Sequence, residues 1–274
     1  MDRFDFIEVK VFDAFIDHFA ERYVQQRSFV EQDVVNRAAS FDSGLDVSAL
    51  MSIIRSNSCF VDLERESGRI PAPIHDIYRS DLGELLTSYY FEEKLPDAER
   101  FIIPLKSISE RERYDMPGRG IDAIGYRRES DGSFTLLLSE AKVSDEKRNP
   151  PQVVHDTNDS IYRVQKKHHD NMPLVLQRLS EYVRKLSSSE SIFVLGCIVV
   201  WMSTGEYDRF KITYGCGLLR DNTCADRELD FGKMKSNVDV FRPGEVDFVV
   251  FSFTQKTIQE TVDLFYQKVR RLSL

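Results

Sequence analysis

The chain has 274 residues, and its 37 Lys and Arg against 45 Asp and Glu give a formal net charge of −8. Its 42% hydrophobic and 30% charged residues are typical of a globular protein and exclude a disordered chain. The acidic balance excludes a protein that is basic over its whole surface, although a local basic groove remains open. No apolar run approaches the roughly 20 residues of a membrane helix, and no signal-peptide pattern precedes the first helix. We therefore expect a cytoplasmic protein with four reduced cysteines, none of them in a C-x-x-C pair.

The first part of the chain reads as helical. Apolar residues at helical spacing predict a helix over 10–26, and a short helix is expected over 48–55. Pro71-Ala-Pro73 predicts a rigid, extended break. We therefore divide the chain into residues 1–70, a helical region that is a candidate for partner binding, and a core over 71–274.

The core alternates between helical and strand patterns. Helices are predicted over 80–94, over 150–186 with a break near Pro173, and over 258–272, where an apolar stripe either packs on the sheet or docks a partner. Apolar runs bounded by turn residues predict strands over 101–105, 121–126, 134–143, 192–202, 211–219 and 246–253. This order predicts an α/β fold with a mixed central sheet flanked by helices.

Glu140-Ala141-Lys142 ends an apolar strand, and Asp122 lies on the preceding strand of the same predicted hairpin. Alternation along a strand puts Glu140 and Lys142 on one face. Two converging carboxylates and the Ala141 carbonyl make a hard oxygen site suited to Mg²⁺, for which Mn²⁺ can substitute. Lys142 could position or deprotonate a water, or stabilise charge on a phosphate. The alternative is a surface ion pair at a strand end.

Three other tripeptides share the pattern of an acid two residues before a lysine. We set them aside because they lie at a helix end, in a polar loop, or where no strand is predicted: Glu92-Glu-Lys94, Asp145-Glu-Lys147 and Glu8-Val-Lys10.

The hairpin register decides whether the site can form. A two-residue turn at Asp131-Gly132 would place Asp122 opposite Ala141 and turn its side chain away from Glu140. A three-residue loop or a bulge would instead place the carboxylates of Asp122 and Glu140 on the same face of the hairpin. The site therefore predicts one of these two irregularities.

The pattern of Asp122 followed by Glu140-Ala141-Lys142 resembles the PD-(D/E)xK nuclease superfamily. This resemblance implies a restriction-endonuclease-like core and a further acid on the preceding helix, where Asp81-Leu-Gly83-Glu84 makes Glu84 the match and a further candidate metal ligand. Gly83 would allow that helix to approach the sheet closely. Ile121 replaces the proline of the motif, and no Gln-x-x-x-Tyr element follows Lys142. The alternative for Glu84 is a solvated helix face.

Across most of its length the chain resembles the HamA family, the small subunit of the Hachiman anti-phage defence system. The resemblance rests on a helical first third, on Asp81-Leu-Gly-Glu84, Arg119-Gly-Ile-Asp122 and Ser139-Glu-Ala-Lys142, and on a late apolar strand. It implies a Mg²⁺-dependent DNase effector in a heterodimeric complex with a large, HamB-like helicase that controls it. It implies that Asp122, Glu140, Lys142 and Glu84 carry catalysis.

DNA contacts require a local excess of basic residues, since phosphate attraction dominates DNA binding. The segment 160–186 has such an excess, and Arg163, Lys166 and Lys167 are candidate DNA-binding residues, unless they form only a solvated helix face. Two other functions stay open. One is a stand-alone restriction-type endonuclease, for which we identify no base-reading element. The other is a non-catalytic adaptor with a degenerate nuclease core.

Overall fold

The structure is a computed structural model that describes residues 1–28, 32–41, 44, 46–59, 72–110 and 120–273. A six-stranded mixed sheet in the order β1-β6-β5-β4-β3-β2 is flanked by helices, which confirms the predicted α/β class. Strands β1, β6, β5 and β4 are mutually parallel, β3 is antiparallel to β4, and β2 is antiparallel to β3. The strands are β1 (Arg3–Val9), β2 (Ile102–Lys106), β3 (Ala123–Arg128), β4 (Phe134–Ser144), β5 (Phe210–Asp221) and β6 (Glu245–Phe253).

The helices cover both faces of the sheet. They are α1 (Asp13–Arg27), α2 (Gln32–Phe41), α3 (Val47–Ser58), α4 (Ala72–Tyr89), α5 (Ser107–Glu110), α6 (Gln152–His155), α7 (Ile161–Asp170), α8 (Met172–Val183), α9 (Ser189–Thr204), α10 (Gly232–Ser236) and α11 (Ile258–Ser273). Helix α4 continues into a π-helical turn at Tyr90–Lys94. None of the helices described is long and apolar enough to cross a membrane.

Two hydrophobic layers sandwich the sheet. Side chains of α1, α4 and α11 pack on one face, with Leu137 of β4 and Phe251 of β6. Side chains of α7, α8 and α9 pack on the other face, with Leu136 and Leu138 of β4. Since neighbouring residues of β4 face opposite layers, Glu140 and Lys142 belong to the α7–α9 side. We call this side the α7 face and the opposite side the α4 face.

One predicted strand is wrong. Residues 192–202 lie within helix α9, which begins after the Ser188 N-cap and ends at Gly205, a left-handed C-cap with φ 77°. The helix buries Val194, Leu195 and Ile198, while its outer face carries further apolar residues. With apolar residues on both faces, the helical period disappears and the run imitates a buried strand.

The sequence analysis did not predict the first strand. It therefore wrongly placed Glu8-Val-Lys10 outside any strand. Residues 3–9 form β1 and pair in parallel with β6, so Glu8 lies in a strand after all. Helix α1 follows and packs mainly against α11, whose apolar stripe is buried within the protein. That stripe therefore packs inside the fold and does not form a free docking face.

The predicted break at residues 71–73 is also incorrect where it is described, because α4 begins at Ala72. Residues 60–71, next to the predicted boundary between 1–70 and 71–274, lie outside the described residues, as does the turn expected at 64–68. The division into two regions stays a prediction. Over 150–186, the two predicted helices with a break near Pro173 are confirmed as α7 and α8, but a second break at 156–160 sets off the short helix α6.

Candidate active site

The β3–β4 hairpin has the three-residue loop that the site requires. The Glu129 N–H donates to the Ser133 carbonyl at 2.9 Å, which leaves residues 130–132 as the loop. Gly132 adopts φ 83°, a left-handed conformation that favours glycine. The ladder pairs Ala123 with Ser139, so the same register extended by one residue places Asp122 opposite Glu140. The two carboxylates thus share the α7 face.

Asp122 is fixed to the end of β4 by a side-chain hydrogen bond. Its Oδ2 accepts from the Ala141 N–H at 2.8 Å, and its carbonyl accepts from the Ser107 N–H at 2.7 Å. Burial raises the pKa of Asp122 above its ordinary value, although the Lys142 ammonium and the Ala141 amide act in the opposite direction. The site therefore holds a carboxylate in a partly desolvated position.

Glu140 and Lys142 are neighbours on the same face of β4. The Lys142 Nζ lies 3.0 Å from Glu140 Oε1, and the Glu140 side chain is only 5% exposed. Burial and the nearby Asp122 charge both raise the pKa of Glu140. Burial lowers the pKa of Lys142, but the carboxylates of Glu140 and Asp122 outweigh this and raise it. Lys142 is therefore an ammonium cation at neutral pH.

Glu84 reaches the site from the opposite layer. Glu84 lies on helix α4, on the side of the sheet opposite Glu140. Its carboxylate accepts a hydrogen bond from the Ser107 hydroxyl. Ser107 in turn donates its backbone N–H to the Asp122 carbonyl. Glu84 is therefore linked to Asp122 through Ser107, and its side chain is 9% exposed rather than on a solvated helix face.

Gly83 brings α4 close to the end of β4. A Cβ atom at this position would lie 2.7 Å from Val143 Cγ2, which is too close for an ordinary contact. Only glycine therefore permits the approach that the sequence predicted, and this approach sets the position of the neighbouring Glu84.

The donor chemistry around Asp122 and Glu140 fits a divalent cation. Glu140 is buried and Asp122 is half-buried. Their carboxylates destabilise each other, and an ion between them would relieve both the loss of hydration and the repulsion. The Ala141 N–H points at Asp122 and not at β5. Because the N–H and C=O of one strand residue point to the same side, the Ala141 carbonyl also points toward the Asp122 side of β4. Across the described ranges, no three His, Cys, Asp or Glu side chains converge closely enough to hold a metal. The structure thus pairs Asp122 with Glu140 and leaves Glu84 outside their ligand set.

The candidate DNA-binding residues lie on α7, which starts beside Lys142. Arg163 is in its first turn and donates to Asn158 Oδ1 at 2.6 Å. Lys166 forms an ion pair with Asp170, and Lys167 is exposed. Arg163 is therefore the best placed of the three.

Motif reasoning missed two residues around the site, Asp159 and Ser107, and a third, Arg178, was noted only as part of the basic segment 160–186. Asp159 lies before α7 with its Oδ2 3.7 Å from Lys142 Nζ, and Ser107 connects Glu84 with Asp122. Arg178 of α8 lies beside Gly120: a Cβ atom added to Gly120 would lie 3.2 Å from Nη1 of Arg178. None of them belongs to a spaced motif. Only the basic excess of 160–186 gave a signal for Arg178.

A sequence profile of the HamA family matches residues 4–269. The chain belongs to the HamA family. It is therefore a component of the Hachiman defence system, as the resemblance predicted. No significant match to a curated protein or to a solved structure was found.

Proposed function

We propose that this HamA family member is the metal-dependent DNase effector of its defence complex. It hydrolyses phosphodiester bonds in DNA and is controlled by a large helicase subunit in a heterodimeric complex. The observation that carries the proposal is the hairpin register, which sets Asp122 opposite Glu140 with Lys142 beside them. A structural ion pair would need neither a second, half-buried carboxylate nor a lysine shared between acids.

Asp122, Glu140 and the Ala141 carbonyl would hold Mg²⁺, and Mn²⁺ can replace it. An ion held there would act as a Lewis acid toward the phosphate and would lower the pKa of the attacking water. Lys142 donates from Nζ to the phosphate oxygens as negative charge accumulates there, and it orients the attacking water. In the reaction, the attacking water gives up a proton to solvent as its oxygen bonds to phosphorus, one P–O ester bond breaks, and the departing oxygen takes a proton from solvent.

The surrounding residues hold this arrangement in place. Glu84 acts on Asp122 through Ser107, so we assign it a positioning role. Asp159 holds Lys142 from the solvent side, with a side chain that is 76% exposed. Arg163 and Arg178 supply positive charge on the α7 face for the DNA backbone, with Lys166 and Lys167 farther along the helix.

A cleavage assay on plasmid and linear DNA tests the proposal, with Mg²⁺ or EDTA and with or without the helicase subunit. We compare the wild type with Lys142→Ala and with the control Lys147→Ala, which removes an exposed lysine from an acid-x-lysine tripeptide in a loop. We expect Mg²⁺-dependent cleavage that falls at least about 100-fold in Lys142→Ala and stays normal in Lys147→Ala.

Cleavage in EDTA, or normal cleavage by a folded Lys142→Ala variant, would refute the mechanism. Absence of cleavage in every combination would instead support the adaptor. The helicase arm separates a controlled effector from a stand-alone nuclease: a controlled effector changes its rate when the subunit and DNA are both present.

A further inference from the structure

Strand β1 leaves one edge of the sheet unpaired. It pairs with β6 on one side, and the Val9 carbonyl accepts from the Thr254 N–H at 3.1 Å on that same side. Because successive residues of a strand direct their backbone groups to alternate sides, Phe4, Phe6 and Glu8 point their N–H and C=O groups outward. Within the described part of the chain, these groups have no hydrogen-bond partner on the outer side.

An apolar groove lies beside this edge on the α4 face. It has a volume of about 440 Å³ and is formed where β1 and β6 meet the start of α1 and the end of α4. Its apolar lining includes Ile7, Val9, Phe12, Phe15, Leu86 and Phe251. Phe12 is 56% exposed at its rim. A strand added to β1 would direct every second side chain toward this groove.

The rim of the groove is cationic although the whole chain is acidic. Lys10 and Lys94 are exposed lining residues. The acidic lining residue, Glu8, already pairs with Arg227. A ligand with acidic residues beside its apolar side chains would therefore find complementary charge.

We propose that β1 is a docking edge for an extended segment of a partner polypeptide. The segment adds to the sheet by hydrogen bonds to the backbone of Phe4, Phe6 and Glu8 and places alternate apolar side chains in the groove. Acidic residues at its ends approach Lys10 and Lys94.

The sequence of β1 favours a different chain over a second copy. Symmetric antiparallel pairing centred on Asp5 would place two aspartates opposite each other. Pairing centred on Phe6 would set Asp5 against Ile7 and Phe4 against Glu8, so charged residues would oppose apolar ones. A heterologous strand avoids both arrangements.

The docking edge is independent of the proposed nuclease. Strands β6 and β5 separate β1 from β4, which carries Glu140 and Lys142. Changes on the outer side of β1 should therefore leave the candidate active site intact, and the two proposals can fail separately.

The test uses the full chain and a fluorescein-labelled synthetic peptide. In this peptide Thr alternates with Val, Phe or Leu, and one Glu stands at each end. Glu8→Pro removes an outward backbone donor without touching the pairing with β6. Glu8→Ala is the matched control, because both variants lose the ion pair with Arg227 but Ala keeps the N–H. We expect saturable binding to the wild type, weakened at least about tenfold by Glu8→Pro and within about twofold of wild type in Glu8→Ala.

Hydrogen–deuterium exchange locates the peptide on the protein. We expect the amides of Phe4, Phe6 and Glu8 to exchange readily in the free protein and to become protected when the peptide binds. Absence of saturable binding, equal binding by Glu8→Pro and Glu8→Ala, or protection confined to another surface would each overturn the proposal.

Discussion

The side chain of Asp122 accepts a hydrogen bond from the backbone N–H of Ala141 at 2.8 Å. This contact joins the residue before β3 to the middle of the Glu140-Ala141-Lys142 tripeptide, across the open end of the hairpin. It holds an acid from one strand against the backbone of the other, so the relative position of Asp122 and Glu140 does not depend on a bound ion. The candidate metal site is therefore preorganised by the protein.

Calcium should bind the site but support little hydrolysis. Ca²⁺ accepts loose, variable coordination, whereas Mg²⁺ demands near-octahedral geometry that fixes the attacking water. We expect Ca²⁺ to raise the melting temperature of the wild type, since a ligand that binds only the folded state stabilises it. The shift should disappear in an Asp122→Asn, Glu140→Gln double variant. Rapid DNA cleavage in Ca²⁺ alone would contradict this prediction.

Substitution of Gly83 should move α4 away from β4. The added methyl group of Gly83→Ala would meet Val143 at 2.7 Å, and we expect a loss of about 1–3 kcal/mol in the free energy of unfolding. Gly196→Ala in the middle of α9 is the matched control, because no atom lies within 4 Å of its added Cβ. This control should gain up to about 1 kcal/mol from helix propensity. Urea denaturation measures both, and equal stability of the two variants would show that the close approach is unimportant.

Asp247 should make stability fall as pH rises. Burial raises its pKa to about 7 from 3.8, against the opposing effects of Arg3, the Tyr90 hydroxyl and Arg127, while Asp5 adds to the increase. The folded state therefore binds more protons than the unfolded state between about pH 4 and 7, and the free energy of unfolding decreases over that window.

Asp247→Asn removes this titration and should flatten the profile. From pH 4 to pH 8, the free energy of unfolding of the variant minus that of wild type should increase by about 2–4 kcal/mol. Urea denaturation at several pH values measures the difference. Asp239→Asn, at a side chain that is 92% exposed, is the control and should keep the wild-type slope. Parallel profiles for Asp247→Asn and wild type would contradict the assignment.

Arg220 should be essential for the loop that follows β4. Its side chain is fully buried, pairs with Asp230 at 3.1 Å and donates to the carbonyls of Ser144, Arg148 and Cys224. Arg220→Met leaves Asp230 as an unpaired buried charge, and we expect a loss of about 3–5 kcal/mol in stability. Adding Asp230→Asn should recover part of it. An Arg220→Met variant as stable as wild type, measured by urea denaturation, would refute this role.

Local sequence signals predicted the hairpin well. The Asp131-Gly132 turn, the apolar residues of β4 and the requirement that Asp122 face Glu140 predicted a three-residue loop or a bulge, and the structure has the loop. The apolar stripe of this segment predicted a helix over 80–94, which covers the second half of α4 and its π-helical turn but misses the start at Ala72. The close approach of this helix at Gly83 was expected from the superfamily resemblance.

Other features could not be predicted because their cause is not local. Charged residues alternate with apolar ones in Arg3–Val9, which is a strand signal that we overlooked. The pairing of this strand with β6, which is distant in sequence, was not predicted either. Helix α9 has no polar face to reveal its period. The contacts of Ser107, Asp159 and Arg220 join residues far apart in the chain, so no spacing along the sequence could reveal them.

The cleavage rate of Asp122→Asn tests the central claim most directly, that Asp122 and Glu140 form one Mg²⁺-dependent hydrolytic site. Linear duplex DNA is incubated in Mg²⁺ with wild type, Asp122→Asn and the control Asp131→Asn, whose side chain lies in the exposed loop of the same hairpin. We predict a loss of at least about 100-fold for Asp122→Asn and a normal rate for Asp131→Asn. Mg²⁺-dependent cleavage by folded Asp122→Asn at the wild-type rate would contradict the account.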